Sequence, residues 1–237
     1  MKLAIVGAGR AGTSFTLALT RVGHRVDLVH HDELERIGQV DLALLAVPDD
    51  AIAETAARLP VDPARVVAHV AGSRTLAVLG AHPRVASMHP LITMPSEDVG
   101  AERLVGATFA LAGDSLVWAL VSSLHGRALS LGDDQRTAYH ATATVAANHL
   151  VALLAHVERL ACAAGLTLDD FLPLSKMALE DVAARGPERA LTGPASRGDL
   201  ATIDAHLAAI PEEERATYVA MAQVAFDVAE RRSRSLT

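Results

Sequence analysis

Apolar residues in the first half of the chain come in short continuous runs, and each run ends in a polar or glycine-bearing turn. Runs of that kind are strands buried on both faces, as in a parallel sheet covered by helices on either side. The predicted strands are 2–6, 25–29, 41–46, 65–70, 84–88, 108–112 and 128–131. Helical stretches lie between them. Phe15, Leu17, Leu19 and Val22 lead to a closing Gly23, a second helix runs from Asp49-Asp50 to Leu59, and a third covers 115–124. The alternation predicts an α/β fold with a doubly wound parallel sheet.

From about Asp134 the pattern changes to helical periodicity that persists to Arg232. The predicted helices are 135–164, 168–185, 199–209 and 212–232, with Asp199 suited to cap one and Pro211 to start the last. Two domains are therefore expected: a nucleotide-binding domain over 1–133 and an all-α C-terminal domain over 134–237. The 135–164 segment is apolar nearly all round, so it should be buried on several sides, within its domain or against a second subunit. A homodimer through the helical domain is the expected assembly. Asn148, His149, His156, Glu158 and Arg159 interrupt the most apolar stretch, 141–165, which therefore reads as a buried helix and not a membrane span.

The first strand runs directly into Gly7-Ala8-Gly9-Arg10-Ala11-Gly12, and a helix follows at once. In that setting G-x-G-x-x-G has a mechanical meaning. Gly7 permits the tight turn, Gly9 lets backbone approach a pyrophosphate, and Gly12 lets the helix sit close on the strand with its positive end toward the phosphates. The sheet is thus of the Rossmann type, and its ligands are expected at the carboxyl ends of the strands. Those ends carry the glycine loop, His30-His31, Val47-Pro48-Asp49, Ser73 and His89-Pro90.

The end of the second strand bears on the cofactor. NAD sites usually place an acid there for the ribose 2′-hydroxyl, whereas this chain has His30 and His31, whose imidazoles can donate to a 2′-phosphate. NADP is favoured; NAD is the alternative if Asp32 folds back to the ribose. Arg10 either neutralises phosphate or covers adenine, or is a solvated arginine at a helix start. His89 either donates a proton to a developing alkoxide or caps its loop. His140, Thr144 and Asn148, at i, i+4 and i+8, form a polar stripe on an apolar rod. Such a stripe is either a satisfied interhelical network or a wall of the active site, and the nicotinamide cleft is expected between the domains. Lys176, Thr192 and Arg197 are candidates to hold an acidic substrate, with solvent-facing or locally paired roles as the alternatives.

Composition narrows the picture. With 51% hydrophobic but 3% aromatic residues the core must be built from Ala, Leu and Val, which favours close packing of helices. A net charge of −7 argues against nucleic acid or an anionic membrane surface as partner. Cys162 is the single cysteine, so no disulfide forms within the chain. The chain opens on a core strand with no signal peptide ahead of it, and a cytoplasmic location is expected. There is no C-x-x-C, H-E-x-x-H, Walker loop or nucleophile elbow, and the histidines are not spaced as a metal cluster, so no metal is expected.

G-A-G-R-A-G, A-V-P-D-D, H-V-A-G-S, M-H-P-L, Y-H-A-T-A-T-V-A-A-N-H-L and A-L-T-G-P-A-S-R-G-D together resemble a Rossmann-like family with a C-terminal domain of unknown function. Its members are often labelled NADP or deazaflavin-dependent oxidoreductases. The resemblance spans about residues 1–230, and the last two motifs are the most specific. The family is similar in plan to pyrroline-5-carboxylate reductase, prephenate dehydrogenase and ketopantoate reductase. The resemblance implies that Gly7, Gly9 and Gly12 bind pyrophosphate and that Ser73 and His89 border the nicotinamide. It also implies that His140, Asn148, Thr192 and Arg197 face substrate. Ile92-Thr93-Met94 departs from the more polar or aromatic continuation expected after H-P-L. The reading is an NADP-dependent oxidoreductase acting on a small carboxylated oxo or imino compound, with ketopantoate as first candidate. The rival is a non-catalytic, dimeric NADP(H)-sensing module.

Overall fold

A computed structural model of the chain describes residues 1–235. The chain forms two compact units, Met1–Ala147 and Asn148–Thr237. Among the described residues of the first unit, seven strands form one sheet: β1 (Lys2–Val6), β2 (Arg25–Val29), β3 (Leu42–Leu45), β4 (Val66–His69), β5 (Val85–Pro90), β6 (Thr108–Gly113) and β7 (Arg127–Ser130). They lie in the order β2-β1-β3-β4-β5-β6-β7, and β1 to β5 run parallel. The expected doubly wound sheet is present, and each predicted strand matches one here to within two residues at either end.

Both faces of the sheet are apolar, which is why the strands read as unbroken runs. Leu3, Ile5, Leu42 and Leu44 point to one side, where Phe15, Ala18 and Leu19 of α1 (Arg10–Arg21) meet α3 (Glu97–Leu104) and α4 (Leu116–Ser123). Val6, Ala43, Leu45 and Val67 point to the other, against Ile52, Ala56 and Leu59 at α2 (Ile52–Arg58). Helix α1 buries Phe15, Ala18 and Leu19 at helical spacing and stops at Gly23, whose φ of 89° suits only glycine.

Two features depart from the sequence reading. Helix α3 was not predicted, although Ser96 caps it by accepting from the Val99 amide and Glu97 and Asp98 occupy its first turn. Strand β6 runs antiparallel to β5, with Pro90 opposite Phe109 and Ala86 opposite Gly113. Helix α3 lies on α1, where Ser14 Oγ donates to the Glu97 carbonyl and fills the place a side chain at Gly100 would take. The chain then re-enters the sheet from its carboxyl edge, Thr108 accepting from the Leu91 amide.

The expected helix over 135–164 is not uniform. Its α-helical part α5 (Arg136–Thr144) passes into a π turn at Val145–His149 before α6 (Leu150–Ala163). In the second unit α6 is followed by α7 (Leu168–Arg185), the short α8 (Pro187–Ala190), α9 (Leu200–Ala209) and α10 (Glu212–Ser235). Asp199 caps α9 as expected, accepting from the Thr202 amide at 3.1 Å. No helix among the described residues is long and apolar enough to cross a membrane.

A buried ion cluster ties α10 to α6. Glu214 accepts from Arg159 and from His156 Nδ1, the latter at 2.6 Å, and is nearly closed off from solvent. These bonds, Arg159 first, hold its carboxyl down at about 2. A carboxyl held below its unfolded value stabilises the fold above about pH 4.3 and ceases to do so as pH falls toward its folded value. Thermal melts followed by helical circular dichroism should therefore fall more steeply between pH 5 and 2 in the wild type than in Glu214→Gln. Parallel curves would show the cluster adds nothing.

Candidate functional site

Parallel strands deliver their following loops to one edge of the sheet, and there the glycine loop is sterically determined. Gly7 has φ 108°, and a Cβ on it would stand 2.6 Å from the Ala46 carbonyl oxygen. A Cβ on Gly12 would stand 1.8 Å from the Gly7 carbonyl oxygen, so the start of α1 can lie this near β1 only without a side chain. Gly9 differs: nothing lies within 4 Å of the place its Cβ would occupy. Gly9 is also the residue before α1, and no side chain caps the helix there. Unpartnered amides at a helix start facing open space form an anion-binding geometry.

A cleft of about 440 Å³ adjoins this loop, lined by Gly7, Ala8, Gly9, His30, His31 and the Ala46-Val47-Pro48 turn with Ala51. His30 Nδ1 lies 2.6 Å and His31 Nε2 3.3 Å from the same Asp32 oxygen, and their ring centres are 4.4 Å apart. Side chains of neighbouring strand residues would alternate, but the chain turns after Val29 and the three converge. Their ligating atoms lie within 4.8 Å of one another, a grouping that spacing along the sequence did not suggest. Arg10 reaches the loop after β5, its Nη1 donating to the Met94 carbonyl at 3.3 Å.

A second cleft, of about 220 Å³, is lined by Ala11, Phe15, Val70, His89, Pro90, Ile92 and Met94. The Ile92-Thr93-Met94 departure thus supplies an apolar wall. His89 is the polar group in it. Its Nδ1 is 2.7 Å from Tyr139 Oη, with the two rings edge-on, and the ring of His140 stands 6.1 Å away. Both imidazoles press on Gly72, where a Cβ would come within 2.8 Å of His140 Nδ1 and 2.9 Å of His89 Nε2.

Behind His89 lies a buried polar layer. Arg136, 1% exposed, donates through Nε to Asp133 at 2.7 Å and through Nη2 to Ser87, while its Nη1 has no partner. His69 is fully buried on β4 opposite Ser87. Burial, aided by Arg136, lowers His69 to about 4. Burial likewise lowers His89 to about 4, with His140, Arg136 and His69 adding to the effect and Asp49 opposing it. Burial raises the Tyr139 hydroxyl to about 12, against the pull of Arg136. Both rings are therefore neutral near pH 7.

The structure thus brings His89 and His140 together, and adds Tyr139, Arg136, His69 and Gly72, which the sequence reading passed over. Ser73 lies on the same edge, donating to Asp49 at 2.8 Å. The polar stripe on the long helix is broken. His140 and Thr144 are half-buried on α5, whereas the π turn takes up an extra residue per turn and leaves Asn148 exposed. In the second unit Lys176 is exposed on α7. Thr192 lines an apolar groove with Leu153, Tyr218 and Met221. Arg197, 4.0 Å from Asp199, lines another groove with Gln223 and Phe226.

Residues 108–225 match the model of the family described as a domain of unknown function (DUF2520), and the chain carries that domain. The resemblance read from the motifs is upheld. No curated protein matches the sequence. Among solved structures, BF3122 of Bacteroides fragilis, provisionally assigned as an NADP oxidoreductase, is 21% identical with a TM-score of 0.80 over 95% of this chain and 98% of that one. Protein TM1727 of Thermotoga maritima is 22% identical, TM-score 0.76, over 98% and 99%. A reductive aminase of Aspergillus terreus, solved with NADPH and ethyl levulinate, is 19% identical, TM-score 0.69, over 99% and 94%. At these identities the likeness establishes a common fold: a Rossmann-type sheet followed by helices.

The contrast between glycines is directly testable. Overpacking a tight site costs about 1–3 kcal/mol, and each kcal/mol moves the melting temperature of a chain this size by about 2–4 °C. Gly12→Ala should melt several degrees below wild type, while Gly9→Ala melts with it. Equal melting points for the two variants would contradict the steric assignment.

Proposed function

We propose that this chain is an NADP-dependent oxidoreductase that reduces a small carboxylated oxo or imino compound, a ketopantoate-like 2-oxo acid being the first to try. The observation that carries the reading is the open anion-binding start of α1 at Gly9, with a cleft on either side of it along one sheet edge. One cleft suits the nucleoside end of the cofactor, with His30 and His31 toward a 2′-phosphate and Asp32 already engaged by both rings. The other is apolar but for His89 and suits a nicotinamide face. Bound NADPH would supply the hydride. The chain's own part is to hold the pyrophosphate on the Gly7–Gly12 backbone, to keep water from the apolar cleft, and to offer His89 Nε2 to the reacting oxygen or nitrogen.

Domain roles follow on this reading. Residues 1–133 are the nucleotide domain, with Arg10, Ala11, Val47, Pro48 and Ser73 bordering the cofactor. Residues 134–237 are the substrate and dimerisation domain, to which His140, Asn148, Lys176, Thr192 and Arg197 belong as substrate-side candidates. Support for a second copy comes from apolar side chains that the helical unit leaves in solvent, among them Val151 (67% exposed), Leu174, Met177 and Val182.

Mixing the protein with NADPH and a panel of 2-oxo acids and cyclic imines tests the reading by absorbance. Turnover with at least one compound is expected. His89→Ala should cut kcat by about 100-fold or more while leaving NADPH affinity intact. Tight NADPH binding without turnover over the panel would favour the sensing module; absence of binding by either nucleotide would overturn the cofactor assignment. The pH profile adds an independent check. Since burial lowers His89 to about 4, kcat should show no histidine limb between pH 8 and about pH 5. An acid limb at the ordinary histidine value, about 6.5, would contradict it. Replacing His30 and His31 by Ala should weaken NADPH more than NADH; equal loss would remove them from the 2′-phosphate.

A further inference from the structure

Resting on the proposed reduction, we infer that Tyr139 is the positioning residue of this site: its hydroxyl fixes the tautomer of His89 and resupplies the proton that His89 gives up. The sequence reading assigned Tyr139 nothing.

Among the described residues, the one hydrogen-bond partner of Tyr139 Oη is His89 Nδ1, at 2.7 Å. A tyrosine hydroxyl raised to about 12 keeps its proton and must place it somewhere. His89, lowered to about 4, is neutral and has one ring nitrogen free to accept. Donation from Oη to Nδ1 satisfies both, and it leaves the ring hydrogen on Nε2, at the end of the ring near Gly72. The opposite arrangement, with Nδ1–H donating to Oη, leaves the hydroxyl proton to solvent and a bare acceptor at Nε2.

Magnitude then decides how a proton reaches the product. With a value near 4, only about one His89 in a thousand is an imidazolium at pH 7. Direct donation from that minor form is a thousandfold handicap. A neutral ring avoids it if one nitrogen is refilled as the other is emptied. Hydride from the reduced nicotinamide nucleotide adds to the carbonyl or imine carbon, and the C=O or C=N π electrons move to the heteroatom. The heteroatom takes the Nε2 proton, and Nδ1 takes the Tyr139 proton. The tyrosinate so formed is reprotonated by solvent, which half-buried Tyr139 can reach. Arg136, one turn earlier on α5, is the charge that draws the Tyr139 value down and so favours the transient anion. The other groups that act on His89 are His140 on α5, His69 on β4 and Asp49 in the turn after β3.

Nitrogen-15 spectra of the histidine rings test the tautomer without any substrate. In the ligand-free wild type, His89 should show a protonated Nε2 and a hydrogen-bonded, unprotonated Nδ1, and Tyr139→Phe should shift that Nδ1 signal. Kinetics test the relay. Tyr139→Phe should keep the wild-type NADPH dissociation constant, lose about 100-fold in kcat, and change substrate KM much less. Rates in mixtures of light and heavy water should give a curved proton inventory for wild type and a straight one for Tyr139→Phe. An Nδ1–H tautomer in the wild type, or a Tyr139→Phe enzyme with unaltered kcat, would overturn the inference. The expected tautomer in a protein that reduces nothing would leave Tyr139 as the partner that orients His89, and would overturn the reduction and the relay together.

Discussion

The whole site depends on one close approach. The turn after β1 must pass under the start of α1 and beside the turn after β3, and the spacing there leaves no room for a side chain at Gly7 or Gly12. Two consequences follow from that contact. It sets the amide end of α1 toward the carboxyl edge of the sheet, where the field of the helix favours an anion. It also leaves Gly9 open on its outer side, so the same backbone that is crowded within is bare toward solvent. Parallel pairing of β1, β3, β4 and β5 then brings the other loops to this edge without further design.

A second constraint is electrostatic. Arg136, His69, Ser87, His89 and Tyr139 form a polar layer against an otherwise aliphatic sheet, and parts of it lack partners. Buried groups without partners are costly, and such costs concentrate where chemistry is done. Here the cost has a readable effect. It keeps two histidines neutral and a tyrosine protonated, so the side chain lining the apolar cleft is a neutral imidazole and not a floating acid. Neutral imidazole acting as an electrophile is a known solution where imidazolium would be too scarce.

Much of the fold was legible because burial on both faces writes strands as unbroken apolar runs, and the glycine loop because its spacing is imposed by sterics. The direction of β6 was not, since residue patterns carry no sign of strand polarity. Helix α3 escaped notice because only Ala101 and Leu104 among its apolar residues are fully buried, too few to make a periodic stripe. Of the site, His89 and His140 were legible from their neighbours in sequence. Tyr139 was not, because its meaning comes from a residue fifty positions away on another element. The i, i+4, i+8 row through Asn148 is interrupted by a π turn, which composition does not announce. His30, His31 and Asp32 were read singly, and only the turn after β2 makes them a group.

The central claim is that the edge around Gly9 holds a pyridine nucleotide with its reactive ring toward His89. A crystal structure grown with NADP tests it most directly. The account requires the pyrophosphate on the amides that begin α1, the adenosine end beside His30 and His31, and the nicotinamide in the Ala11, Val70 and Met94 cleft against His89. A nucleotide bound elsewhere, or one whose nicotinamide lies away from His89, would contradict it.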